Sequence, residues 1–296
     1  MPKNKSEVRS FNDATGTIRY TLMNDYMFRI VFQENKEALR GLVAALLHID
    51  PEQIIDIEIR NTIKVGESIS EKEYRMDLSI HLWDERNLDI ELQVRDQGDW
   101  PDRSLLYLCR LYDSIARGED NFASVQPAIQ IGILDFTLFP DTPEFCASYK
   151  MMNVRSHKLY NDKFELKVLQ LNQIKLATEE DKLYNLDEWA RLFKAKTWEE
   201  LKMVAQQNKY LNEAATSVFR YESDYSIRKR CQDREDALRE KAAKNRKITL
   251  LQDEIAGLLN KNSNLQDENS NLQAENSSLQ NEITELRKQL AEALNK

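Results

Sequence analysis

Hydrophobic and polar positions follow two different periods along this chain, and the switches between them outline its organisation. From Asp25 to Leu47 the apolar residues Met27, Phe28, Val31, Phe32, Leu39, Leu42, Val43 and Leu46 recur every three or four positions, predicting an amphipathic helix, continuous or broken once. Six short stretches then carry β-branched or aromatic residues, several in strict alternation: Ile54 to Ile63, Tyr74 to Trp83, Leu88 to Val94, Ala128 to Phe136, Phe145 to Met151 and Phe164 to Leu171. Between the third and fourth, Ser104 to Ala116 returns to helical spacing, with Gly118 where a helix stop belongs. This order predicts a mixed α/β layer fold.

All six prolines lie at or before Pro143, and only Gly257 of seven glycines lies after Gly132, so the second half is expected to be mostly helical. From Ile248 a heptad takes over. Leu251, Leu258, Leu265, Leu272, Leu279 and Leu286 recur every seven residues, and Ile248, Ile255, Asn262, Asn269, Asn276, Ile283 and Leu290 hold the companion seam positions. This predicts a coiled coil roughly 70 Å long at about 1.5 Å per residue. Each of the three asparagines pairs best with its own copy across a parallel two-stranded seam, which points to a parallel homodimer in fixed register. Glu282 and Arg287 are spaced to bridge between its chains.

Composition narrows the class. Of 296 residues, 41% are hydrophobic and 31% charged, enough apolar material for a core. The apolar runs are too short to cross a bilayer and no apolar leader follows Met1, so a cytoplasmic protein is expected. Cys109, Cys146 and Cys231 form no paired motif and are odd in number, which speaks against a disulfide scaffold and against zinc. The net charge of −8 disfavours nucleic acid globally but does not exclude a local basic face. Arg228 to Lys247 is such a segment, with nine basic and four acidic residues; Arg228, Lys229 and Arg230 are its candidate phosphate contacts. The interrupting acids favour a salt-bridged exposed helix over a zipper-type groove binder.

The candidate chemistry sits on two strands that both bury their even-numbered residues. Arg75, Asp77, Ser79 and His81 alternate with Met76, Leu78, Ile80 and Leu82; Asp89, Glu91 and Gln93 alternate with Leu88, Ile90, Leu92 and Val94. A hairpin with a three-residue turn at Asp84, Glu85 and Arg86 pairs residues whose numbers sum to 170, setting Asp77 opposite Gln93 and diagonal to Glu91. Two readings stay open on the residues alone. The polar set is simply the wet face of an antiparallel sheet, or the two carboxylates converge on a hard cation such as Mg²⁺ (Mn²⁺ is the alternative) that acidifies a water and screens a reacting phosphate. Arg103 and Tyr107, one turn apart on the following helix, can point at the same patch as phosphate contacts. His81 reads as a surface histidine; His48 and His157 receive no role.

Asp77, thirteen residues, then Glu91-Leu92-Gln93 within Leu-Asp-Ile-Glu-Leu-Gln-Val resembles the active-site hairpin of the PD-(D/E)XK nuclease superfamily, and more narrowly the bacterial recombination-promoting nuclease and putative transposase family. Asn24-Asp25-Tyr26-Met27-Phe28-Arg29 resembles that family's opening helix, Arg103 to Tyr107 with Leu111-Tyr112 its post-hairpin helix, and Phe219 to Asp233 its closing helical region. The resemblance implies a restriction-endonuclease-like mixed sheet flanked by helices, followed by a helical region and the parallel coiled coil. It makes Asp77 and Glu91 the metal-holding acids, Asp25 a further acid, and Gln93 the occupant of a position where the wider superfamily has lysine. Gln93 can orient water but cannot act as a base near pH 7. Met76 stands where the wider superfamily has its name-giving proline. The expected domains are a polar tail (1–20), a nuclease core (21–172), a helical region with the basic segment (173–247) and a dimeric coiled coil (248–296). The expected function is Mg²⁺-dependent DNA endonuclease, with two rivals: a catalytically degenerate dimer that binds DNA or protein as a scaffold, and, last, a zipper-type regulator.

Overall fold

The computed structural model describes residues 10–60, 78–117, 121 and 123–294. Asp77, Met76 and Gly118, with parts of the first two expected strands, lie outside the described residues. The remainder forms two compact units, Met1–Glu235 and Asp236–Lys296.

In the first unit the amphipathic N-terminal stretch is two helices, α1 (Asp25–Glu34) and α2 (Lys36–Leu47). Asn24 caps the first, accepting from the N–H groups of Tyr26 and Met27, and Asn35 breaks the run by capping the second through Ala38 N–H. The strands are β1 (Ile57–Ile59), β2 (Leu78–Leu82), β3 (Asn87–Gln93), β4 (Ala128–Leu134), β5 (Cys146–Lys150) and β6 (Phe164–Gln170). They form one mixed sheet in the order β1-β2-β3-β4-β6-β5. β3, β4 and β6 run parallel, and their neighbours toward each edge run antiparallel. Helix α3 (Trp100–Ala116) is the crossover between the parallel strands β3 and β4.

One sheet face carries Ile57, Leu78, Ile80, Leu88, Ile90, Leu92, Ile129, Ile131, Ile133 and Leu169, all within the main core. Onto this core pack α1 and α2 together with α5 (Leu186–Lys194), α6 (Trp198–Ala205) and α7 (Lys209–Ser223), with the short α4 (Glu179–Leu183) preceding them. Phe28 and Phe32 of α1 meet Phe193 and Trp189 of α5 at ring separations of 5.9 Å, an aromatic seam that fixes the helices against each other. α2 and α7 cross closely because Gly41 has no side chain; a Cβ there would stand 2.3 Å from that of Tyr210. The helices after residue 172 therefore complete the core around the sheet. Ala14, Ile18 and Tyr20, in the stretch expected as a polar tail, are also buried in it.

The opposite sheet face is covered by α3. Leu108 and Leu111 pack on Ala128, and Trp100 packs on Leu134 and Val168. The last element, α8 (Tyr225–Leu294), is one continuous helix that carries both the basic segment and the heptad. Ile248, Leu251, Ile255, Leu258, Leu265, Leu272, Leu279, Ile283, Leu286 and Leu290 are all exposed on it. Among the described residues no helix is long and apolar enough to cross a membrane.

Candidate active site

The hairpin of β2 and β3 keeps the expected parity but not the expected register. Ser79 faces Asp89 and His81 faces Asn87, pairs that sum to 168 instead of 170. The turn is Trp83-Asp84-Glu85, one residue earlier than expected, because Leu82 N–H donates to the Arg86 carbonyl and Glu85 takes the left-handed conformation at φ 70°. Since the shift is even, Ser79, His81, Asn87, Asp89, Glu91 and Gln93 still share one face. That face is not wet. Asn87, Asp89 and Glu91 are buried, since β3 is an interior strand of a mixed sheet with α3 on this side.

Glu91 faces Gly132 of β4, and this pairing builds the site. A Cβ on Gly132 would stand 2.1 Å from Cζ2 of Trp100, so the glycine is what lets the indole lie against the strand beside Glu91. Arg103, most of a turn further along α3, stacks on that indole at 5.3 Å from its ring centroid. Its Nη2 reaches back to donate to Oε1 of Gln93 at 2.6 Å and stands 3.2 Å from Oε1 of Glu91. The Gln93 amide is held from the other side, its Nε2 donating to the Arg95 carbonyl at 2.7 Å. Two oxygen donors thus converge on one point that already attracts positive charge. Tyr107 lies half-buried one turn beyond Arg103 on α3.

One register step toward the other end of β3 lies a buried polar row, Ser79, Asp89 and Gln130 on three adjacent strands. Burial pushes the Asp89 carboxyl up to about 6, against the opposing effects of the Ser79 hydroxyl and Arg60. The side-chain amide of Gln130 is fully buried, and among the described residues its nitrogen and oxygen have no hydrogen-bond partner.

Of the residues singled out from the sequence, Glu91, Gln93 and Arg103 come together, while Asp77 lies outside the described residues. Asp25, at the start of α1, accepts a hydrogen bond at Oδ2 from Nε of Arg234 on α8. In the basic segment, Arg228 donates to the Glu222 carbonyl, Arg230 lies 3.7 Å from Asp233, and Lys229 is exposed. Trp100 and Gly132 were not foreseen as site residues. A glycine inside the isoleucine-rich Ala-Ile-Gln-Ile-Gly-Ile-Leu was the one available signal, since strand glycine marks a close approach.

Residues 22–247 match the family described as PD-(D/E)XK nuclease family transposase. The chain belongs to that family. Searches of curated proteins and of solved structures return no match. As a member of that family, the chain has the restriction-endonuclease-like α/β arrangement of a mixed sheet between helices. Glu91 and Gln93 lie on the interior strand β3, where the α3 arginine reaches both.

The donor set suits the divalent metals typical of such nucleases. A carboxylate and an amide carbonyl are hard oxygen ligands of the kind Mg²⁺ accepts, and both already converge on a cationic nitrogen.

Proposed function

We propose that this chain is a Mg²⁺-dependent DNA endonuclease of the transposase-associated, recombination-promoting type. The observation that carries the reading is the convergence of Glu91 and Gln93 on Nη2 of Arg103, in a chain whose family is a nuclease family. In this reading Asp77 and Glu91 hold the metal, and Asp25 is a supporting acid released when its partner Arg234 turns to DNA. Bound there, Mg²⁺ would supply a more acidic water and screen charge at phosphorus. The Gln93 amide, held at its nitrogen by the Arg95 carbonyl, would orient the attacking water through its oxygen. Arg103 exchanges its two oxygen partners for the scissile phosphate, with the Trp100 indole keeping the guanidinium aimed. Tyr107 and the exposed Lys229 add phosphate contacts, as do Arg228 and Arg230 after giving up their intramolecular partners.

Two copies joined through the exposed heptad of α8 would bring two such sites to opposite strands of a duplex. The support is the unbroken leucine spacing and the self-pairing preference of Asn262, Asn269 and Asn276.

The test is cleavage of supercoiled plasmid with Mg²⁺ by purified protein. Wild type nicks or linearises it, and Asp77→Ala and Glu91→Ala each reduce the rate by at least about 100-fold. Full cleavage in both variants removes the mechanism. One observation favours a second reading, a degenerate nuclease fold serving as a scaffold: Arg103 already neutralises Glu91. Calorimetric Mg²⁺ or Mn²⁺ titration separates the two, since only the nuclease has a saturable site that disappears in Asp77→Ala.

A further inference from the structure

On the sheet face opposite α3, three elements distant in sequence bring together a histidine, a cysteine and a carboxylate. His48 ends α2, Cys146 begins β5, and Asp181 lies in α4. One ligand atom from each falls within 4.8 Å of the other two. We propose that His48, Cys146 and Asp181 form a second metal site, separate from Glu91, for a borderline-soft divalent ion such as Zn²⁺.

The ligand chemistry selects the ion. One nitrogen, one sulfur and one oxygen suit Zn²⁺, whereas Mg²⁺ prefers an all-oxygen shell. Tetrahedral Zn²⁺ with bonds of about 2.0 Å to nitrogen and oxygen and about 2.3 Å to sulfur sets ligand atoms roughly 3.3 to 3.6 Å apart. His48 Nε2 and Asp181 Oδ1 are at 2.9 Å, so they part by only a few tenths of an ångström to admit the ion.

The supporting groups hold these ligands in place. Asp181 is buried, and its other oxygen, Oδ2, accepts from both the backbone N–H and the hydroxyl of Thr178, which fixes the carboxylate and leaves Oδ1 turned to His48. His48 takes the left-handed conformation at φ 52° as its backbone N–H closes α2, and its ring packs on Tyr184 at 5.6 Å. The imidazole is partly exposed, which offers an ion a path from solvent to the cluster. Lys167 is the opposing charge nearby, and its ammonium donates to the Leu46 carbonyl. On binding, the Cys146 thiol releases its proton to solvent, the proton between His48 Nε2 and Asp181 Oδ1 is given up so that the neutral imidazole carries its hydrogen on Nδ1, and the sulfur and nitrogen lone pairs form the bonds to the metal. Thiolate and carboxylate then balance the dication, and no oxidation or reduction is involved.

The test uses the full chain, stripped with chelator and titrated with Co²⁺ in excess Mg²⁺, so that the oxygen-only site is filled. A thiolate-to-cobalt absorption band is expected to saturate at one equivalent per chain and to bleach when Zn²⁺ is added. Cys109→Ser keeps the band and Cys146→Ser abolishes it. His48→Gln, at a partly exposed position, serves where Cys146→Ser does not fold, and weakens Co²⁺ binding at least about tenfold. Absence of the band in folded wild type, or its persistence in Cys146→Ser, overturns the proposal. Because no cleavage is measured, the outcome is independent of the nuclease reading.

Discussion

At Gly132 a single methyl group would collide with the Trp100 indole, and through it disturb Arg103, Glu91 and Gln93. Gly132→Ala is therefore expected to destabilise the fold by about 1–3 kcal/mol, the usual cost of overpacking, and to lower plasmid cleavage more than this stability loss explains. Chemical denaturation and cleavage rates on the same samples check both. A glycine variant as active as wild type would show that Trp100 does not aim Arg103. Asp89 gives a pH prediction. Its folded value of about 6 lies above the ordinary 3.8, so its protonated form is the one the fold favours. That contribution is fully present below about pH 3.8 and is lost as pH rises through about 6. Asp89→Asn should therefore flatten the stability profile across this window and be the more stable protein at pH 7 to 8, by on the order of 2–3 kcal/mol for a shift of this size. Urea midpoints at pH 4, 6 and 8 measure it; parallel profiles for the two proteins would refute the assignment.

Among the elements, the hairpin shows what alternation does and does not specify. Burying Leu78, Ile80, Leu88 and Ile90 on one face fixes parity, since a one-residue slip would drive a polar row into the main core. A two-residue slip leaves every residue on its own face, so the choice between sums of 170 and 168 fell to the turn. There Glu85 accepts a left-handed backbone that the alternation did not reveal. In α8 the heptad was legible residue by residue, because a repeat along one helix needs no partner to be read. The proposed parallel register predicts that Leu286→Cys, in a Cys109→Ser background, cross-links to its own copy under mild oxidation. An antiparallel pairing sets the two copies of residue 286 far apart and gives no such product. Size measurement in parallel distinguishes the absence of cross-linking from the absence of a dimer.

At the level of the whole molecule, the chain's hydrophobic periods were enough for element types and order. Among the described residues a helical stretch, three strands, the crossover helix and three further strands follow in the expected order, with the crossover helix starting at Trp100 instead of Ser104, and the family match spans residues 22–247. The proposed separation of roles predicts that removing residues 248–296 leaves a folded monomer that nicks plasmid but has lost most double-strand cleavage. Equal linearisation by the truncated and full chains would dissociate cutting from α8.

The sequence by itself determined that the even-numbered residues of the two hairpin strands turn inward and that helical spacing runs from Asp25 to Leu47, because these follow from local periodicity, while the hairpin motif was legible through its resemblance to a family. Only the tertiary structure decided that the polar face of β3 is covered, that Arg103 settles on Glu91 and Gln93, and that Asp25 pairs with Arg234. It alone brought His48, Cys146 and Asp181 together. Such contacts join residues distant in the chain, and their energies depend on burial and on which charges become neighbours, quantities that exist only once the layers have packed.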